Sequence, residues 1–204
     1  MKWVICAWAL VSAPVIGEAG DLVIDLKVDR QSVTKIHLQF DEGMATAIVA
    51  GEKERFNLQE MSWLHDGTGK WVTLAQCEAW AQQSKARTKQ GIDSAPEEMR
   101  SFLRWSLDPS FTTENSKNTI RLISGQVDYV IVLLASKAGM DGYFRYATLN
   151  AYKKAMLERK IPPFAELKVL AEIKALGRMP SNMDVTIPGI PGAPGFSYTI
   201  TESP

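Results

Sequence analysis

The sequence has 204 residues, a length that supports one hydrophobic core and is short for two domains. Apolar residues make up 46% of it and charged residues 23%, and the formal net charge is zero. This composition is typical of globular proteins, and a neutral chain lacks the broad positive field that attracts nucleic acid or an anionic membrane surface.

The first nineteen residues have the pattern of a secretory signal peptide. Lys2 is followed by an apolar run, residues 3–16, and by small residues at a cleavage site after Ala19. The run is too short for a transmembrane helix, although a buried first element is an alternative. We expect an exported protein, in the bacterial periplasm or outside the cell, whose mature part, residues 20–204, forms a single α+β domain. Cys77 is then its only cysteine, which excludes an internal disulfide and favours a bacterial envelope.

The first part of the mature chain alternates apolar and polar residues, which is the period of a half-buried β-strand. A turn signal, Asp66-Gly67-Thr68-Gly69, predicts that the last two of these segments form a hairpin. The predicted strands cover residues 22–29, 35–41, 44–50, 61–65 and 70–74.

The period then changes to that of a helix, and residues 74–91 and 96–107 each carry an apolar face at helical spacing. Gly91 is a typical stop for the first helix. The sequence Ser94-Ala95-Pro96-Glu97 predicts a capping box at the start of the second, and Asp108-Pro109 ends it.

Strands are predicted again at 118–124 and 127–134, and the uninterrupted apolar run 130–134 indicates a strand that is buried on both faces. Thr148 is expected to cap a third helix and Pro162-Pro163 to open a fourth. A final hairpin joins segments near 183–187 and 196–200 across a loop rich in proline and glycine. Because strands follow one another instead of alternating with helices, we predict an α+β fold with an antiparallel sheet and helices on one face.

The sequence gives little sign of catalysis. Neither of the two histidines, His37 and His65, has another ligand at metal-binding spacing, and residues adjacent on a strand, such as His65 and Asp66, point to opposite faces. Cys77 lies on an apolar helical stripe and is predicted to be a buried thiol. Serine-hydrolase and phosphate-loop motifs are absent. We therefore predict no catalytic residue, no metal and no cofactor, and we leave open a hydrolase with an unrecognised site.

Large adaptable side chains cluster around the predicted hairpin and the helices that follow it. Methionine and tryptophan suit both apolar cavities and ordinary cores. A cavity for a lipid or an acyl chain would be lined by Trp63, Trp71, Trp80 and Met99. The alternative is that the same residues fill the core.

The order of elements, together with the hairpin Trp63-Leu64-His65-Asp66-Gly67 and Lys70-Trp71-Val72, resembles the bacterial lipoprotein-carrier superfamily (LolA/LolB-like). This resemblance implies a strongly curved sheet or incomplete β-barrel, in which helices form a lid over an apolar cavity. The implied function is a periplasmic carrier of lipid, acyl chain or lipidated protein. An envelope protein-interaction module without a small ligand is the alternative. A continuous cavity favours the carrier, and a filled core with an exposed apolar patch favours the module.

Overall fold

The computed structural model describes residues 21–134, 140–190 and 192–202, so the predicted signal peptide lies outside the described residues. The predicted strands and helices occur in the predicted order, and two strands that were not predicted, Glu52–Asn57 and Thr112–Asn115, lie among them. The strands are β1 (Leu22–Val28), β2 (Gln31–Asp41), β3 (Met44–Val49), β4 (Glu52–Asn57), β5 (Ser62–His65), β6 (Lys70–Thr73), β7 (Thr112–Asn115), β8 (Thr119–Ile123), β9 (Asp128–Leu134), β10 (Met179–Thr186) and β11 (Phe196–Glu202). The helices are α1 (Leu74–Gly91), α2 (Glu97–Leu107), α3 (Met140–Lys154) and α4 (Phe164–Ala175).

All these strands belong to one antiparallel sheet in the order β6-β5-β4-β3-β2-β1-β11-β10-β9-β8-β7. The first six strands form a meander, and the last strand of the chain, β11, pairs with the first, so that Ile24 lies opposite Ile200. Within the described part of the chain, β6 and β7 have a neighbour on one side only, which leaves the sheet open. The predicted α+β fold with an antiparallel sheet is confirmed.

The sheet must curve strongly, because α3 touches strands that are far apart in the strand order. Seven inter-strand spacings separate β5 from β9, and in a flat sheet these would amount to about 34 Å. Nevertheless α3 packs on β5, the ring centroids of Tyr146 and Phe56 on β4 are 4.9 Å apart, and Tyr146 lines the same cavity as Tyr129 on β9. The hydrophobic core therefore fills the concave side of an incomplete barrel.

Strand β9 differs from its prediction. Its residues alternate: Tyr129, Ile131 and Leu133 are buried, whereas Val130 and Val132 are 37% and 38% exposed. The prediction of a strand buried on both faces is wrong because only the concave face is covered by the core. An apolar run alone does not distinguish this arrangement from a fully buried strand.

One predicted helix cap and one predicted helix start are also wrong. The capping box at Ser94 does not form, since Ser94 ends a 3₁₀ turn and Pro96 precedes α2 without a side-chain cap. A capping box forms instead at α1, where the Thr73 hydroxyl and the Gln76 side chain each accept a hydrogen bond from the other residue's backbone N–H. Thr148 lies inside α3, which begins eight residues earlier at Met140.

Candidate ligand-binding cavity

A cavity of about 380 Å³ lies between the concave face of the sheet and helices α3 and α4. Its size falls within the range of small-molecule sites in proteins. The sheet contributes apolar and aromatic side chains from five central strands, namely Ile24, Ile36, Tyr129, Met183, Val185, Phe196, Tyr198 and Ile200. The two helices and the turn between them supply the opposite wall.

One face of α3 forms most of that wall. Its cavity-lining residues recur every three or four positions, which places them along one side of the helix. They are Tyr143, Tyr146, Ala147, Asn150, Ala151 and Lys154. The two alanines leave space where larger side chains would meet the sheet. This face of α3 therefore carries small apolar side chains in its middle and a cation, Lys154, at its end.

A π-helical turn, Ala155–Arg159, follows α3 and brings Glu158 and Arg159 to the rim of the cavity, where both are exposed. The turn ends at Lys160, whose backbone N–H bonds to the carbonyl of Ala155 at 2.8 Å. The Ser84 hydroxyl on α1 donates a hydrogen bond of 2.9 Å to the Lys160 carbonyl. This hydrogen bond connects the rim of the cavity to α1.

Four tyrosines line the cavity, and among the described residues none of their hydroxyls has a hydrogen-bond partner. They are Tyr129, Tyr143, Tyr146 and Tyr198. Burial raises the pKa of all four phenols above the ordinary value, so each hydroxyl is neutral at physiological pH and able to donate. Buried tyrosine hydroxyls usually have a partner, and a polar group on a ligand would supply one.

Four charged side chains also line the cavity. Arg159 forms an ion pair with Glu166 on α4. Lys154, which is half-buried, has no hydrogen-bond or ion-pair partner in the described part of the chain. Burial lowers the pKa of Lys154, and the nearby carboxylate of Glu158 opposes this shift. The cavity thus contains one cation whose charge is not matched by a direct contact.

Salt bridges hold α3 in place on both sides. Lys153, which is 8% exposed, forms an ion pair with Glu54 on β4. At the start of the helix, Asp141 accepts hydrogen bonds from Lys174 on α4 at 2.9 Å and from Arg145 at 2.6 Å. The hydrogen bond from Lys174, followed by that from Arg145, lowers the pKa of Asp141. The cavity wall is therefore fixed by contacts to the sheet and to its neighbouring helix.

The four residues predicted to form a cavity are placed elsewhere. Trp63 is 1% exposed within the core, Trp71 is 41% exposed, and Trp80 and Met99 are half-buried. None of them is among the residues that line the cavity. That any of the four contacts a ligand stays a prediction. Sequence reasoning missed the actual lining because it placed the start of the third helix at Thr148, beyond the tyrosines of α3.

The residues considered for catalysis do not form a cluster. His37 is exposed, and His65 stacks on Trp63, with ring centroids 5.6 Å apart, while Asp66 is exposed. Cys77 is fully buried, and its sulfur accepts a hydrogen bond of 3.4 Å from the Trp63 indole. The burial of Cys77 confirms the predicted buried thiol, and it raises the pKa of this thiol. Across the described ranges, no three histidine, cysteine or carboxylate side chains meet in a way that could hold a metal ion.

Fold and cavity together define an α+β protein with an open antiparallel sheet and an apolar cavity under its helices. No known protein family, curated protein or solved structure matches the chain significantly. Of the helices that the structure describes, none is both long and apolar enough to cross a membrane.

Proposed function

We propose that this protein binds a lipid or another ligand with an acyl chain in the cavity under α3 and α4, and acts as a carrier in the bacterial envelope. The observation that carries the proposal is the cavity itself, of about 380 Å³, with apolar side chains on both walls. The predicted signal peptide supports the location. The resemblance to lipoprotein carriers, read from the order of elements, points to the same class of ligand.

The apolar walls give such a ligand enough free energy to bind. Each buried methylene group contributes about 0.8 kcal/mol, so a chain of ten carbons contributes about 8 kcal/mol before the cost of association. A gain of about 8 kcal/mol alone corresponds to a dissociation constant of about 1 μM, and the cost of association, about 4 kcal/mol or more, weakens this towards the millimolar range. An affinity of this kind suits a carrier, which has to release its cargo.

A second candidate is a protein-interaction module, and one observation favours it. Val130, Val132 and Leu134 form an exposed apolar row on the outer face of β9. On one side of the row, Asp184 lies opposite Val130 and Asn182 opposite Val132 on β10. A row of three side chains is small compared with a stable interface. The carrier therefore remains the preferred function.

The test uses the neutral dye N-phenyl-1-naphthylamine, which fluoresces in apolar sites, together with native mass spectrometry of protein purified from the envelope of its own host. We expect saturable dye binding at one site and an adduct with the mass of an acyl-chain ligand. Ala147→Phe places a ring in the cavity and should weaken dye binding at least tenfold, about 1.4 kcal/mol. The matched control, Ala86→Phe, changes an exposed position on α1 and should bind like the wild type.

Two results would contradict the carrier. One is the lack of both dye binding and an adduct. The other is an equal loss of binding in Ala147→Phe and Ala86→Phe, because the effect would then not come from the cavity. Thermal unfolding of each variant checks that the fold is kept, since an added ring in a packed site costs about 1–3 kcal/mol.

A further inference from the structure

The cavity contains an unusual charge. Among its four charged lining residues, Arg159 and Glu166 neutralise each other in an ion pair. Lys154 and Glu158 remain, and neither has an ion-pair partner within the described chain. They differ in environment, because Glu158 is exposed whereas Lys154 is half-buried against the cavity. The carboxylate of Glu158 is therefore better hydrated than the ammonium of Lys154.

A desolvated ammonium without a partner is costly, and proteins normally supply an anion or several oxygen atoms to it. Glu54, the carboxylate on the adjacent part of the sheet, is already paired with Lys153. Among the described residues, the acids that line this cavity are Glu158 and Glu166. Neither forms an ion pair with Lys154, so its ammonium has no anion in direct contact within the described chain.

Two phenols from the sheet line the same cavity as this cation. They belong to Tyr129 and Tyr198, and neither hydroxyl has a protein partner in the described ranges. Both hydroxyls are able to donate a hydrogen bond to a polar group of a ligand in this cavity. From Tyr143 to Lys154 the helical wall extends over twelve residues. The eleven rises between them amount to about 16 Å, which matches a medium-length acyl chain.

We infer that the ligand is an anionic single-chain amphiphile, whose carboxylate or phosphate headgroup binds the ammonium of Lys154 while its chain lies along the inner face of α3. This inference rests on the proposed function, since it names the headgroup of the acyl-chain ligand. Lys154 is a specificity-determining residue, and the apolar walls supply affinity that is common to charged and neutral ligands.

The experiment measures displacement of N-phenyl-1-naphthylamine by three ligands with the same chain: dodecanoate, dodecyl phosphate and dodecan-1-ol, each below its aggregation limit. The first two distinguish a carboxylate from a phosphate headgroup, and the third is neutral. In the wild type we expect at least one anion to bind about tenfold or more tightly than the alcohol, because a hydrogen bond to a charged group is strong.

Variants assign this preference to one side chain. Lys154→Met should abolish the preference, so that neither anion binds more tightly than the alcohol, and Lys154→Gln serves as a second variant if the first folds poorly. Lys89→Met, at an exposed position in the last turn of α1, makes the same charge change away from the cavity and should keep the preference. Glu158→Gln removes the competing carboxylate and should strengthen anion binding severalfold at low salt.

The outcomes separate the two proposals. If the wild type binds both anions no better than the alcohol, or if Lys154→Met and Lys154→Gln keep the preference, the inference is overturned while the carrier function stands. If neither the dye nor any of the three ligands binds, the proposed function fails, and the inference fails with it.

Discussion

The ion pair between Lys153 and Glu54 should be one of the strongest single polar contacts in this protein. It joins α3 to β4, and the side chains of Lys153 and Glu54 are 10% and 28% exposed. The ammonium of Lys153 also lies 5.8 Å from the centre of the Phe56 ring. Removing one partner of a buried pair costs about 3–5 kcal/mol because the other ion stays buried without compensation. By contrast, exposed pairs contribute about 0–1 kcal/mol.

Because Lys153 is more deeply buried than Glu54, we expect the two single substitutions to differ in their loss of stability. Lys153→Met leaves a carboxylate that is partly hydrated, so we expect a loss of about 2–3 kcal/mol, between the range for buried pairs and that for exposed pairs. Glu54→Leu leaves the more deeply buried ammonium, so we expect the larger loss, about 3–4 kcal/mol. The double variant should lose less than the sum, with a coupling energy of about 1–3 kcal/mol.

The measurement is urea unfolding followed by circular dichroism, with the slope against urea compared between variants. The control is Arg104→Met, which breaks an ion pair with Asp93. The side chain of Arg104 is 62% exposed and that of Asp93 is 91% exposed. This control should change the free energy of unfolding by less than about 0.5 kcal/mol. The reasoning is refuted if Lys153→Met costs no more than the control, or if the two single losses add without coupling.

Three further predictions concern stability and reactivity. Because burial raises the pKa of the Cys77 thiol, a thiol reagent should label the native chain at pH 7 far more slowly than the chain in urea, and equal rates would contradict the buried site. Gly43 and Gly51 both have positive φ, +81° and +86°, but a Cβ at Gly43 would lie 2.5 Å from the Gln59 amide. Gly43→Ala should therefore cost about 1–3 kcal/mol and more than Gly51→Ala, as measured by urea unfolding. Burial raises the pKa of all five tyrosines, that of Tyr152 to about 12, so their contribution to stability should be constant below about pH 10 and fall as the pH rises from about 10 to 12. Absorbance at 295 nm that shows all phenols ionising near pH 10 in the folded chain would contradict this prediction.

Much of the fold follows from local pattern. The alternation from Leu22 to Val28 predicts β1, and the Glu42-Gly43 turn predicts the hairpin of β2 and β3. In the structure this turn has φ of 41° at Glu42 and 81° at Gly43. Strand β7, Thr112–Asn115, was not predicted, because it is polar and exposed along its whole length and so carries no alternation. Its position is set by pairing with β8 and not by burial. Edge strands of this kind leave little signal in a single sequence.

The sequence predicts an apolar cavity but not the residues that line it, although their signal is present. Tyr143, Tyr146, Asn150 and Lys154 recur at helical spacing, and a helix that begins at Met140 places them on one face. The prediction of a helix start at Thr148, which rests on the preference for threonine at helix starts, hides this face. The cavity-lining residues on the strands, which are distant from α3 in sequence, could not be predicted in this way. Only the pairing of β1 with β11 places residues from both ends of the chain opposite α3, and no local pattern encodes that pairing.

The residues on the cavity-lining face of α3 allow a test of whether the cavity is a ligand site or a packing defect. Protein interiors are close-packed, and stability alone favours larger apolar side chains at core-facing positions. This face has Ala147, Asn150 and Ala151 in its middle and Lys154 at its end. If the space were only a defect, Ala147→Leu would fill it and raise the free energy of unfolding without any loss of binding. If the space holds a ligand, the same substitution should gain stability and lose affinity together, because the added methyl groups occupy the volume that the acyl chain requires.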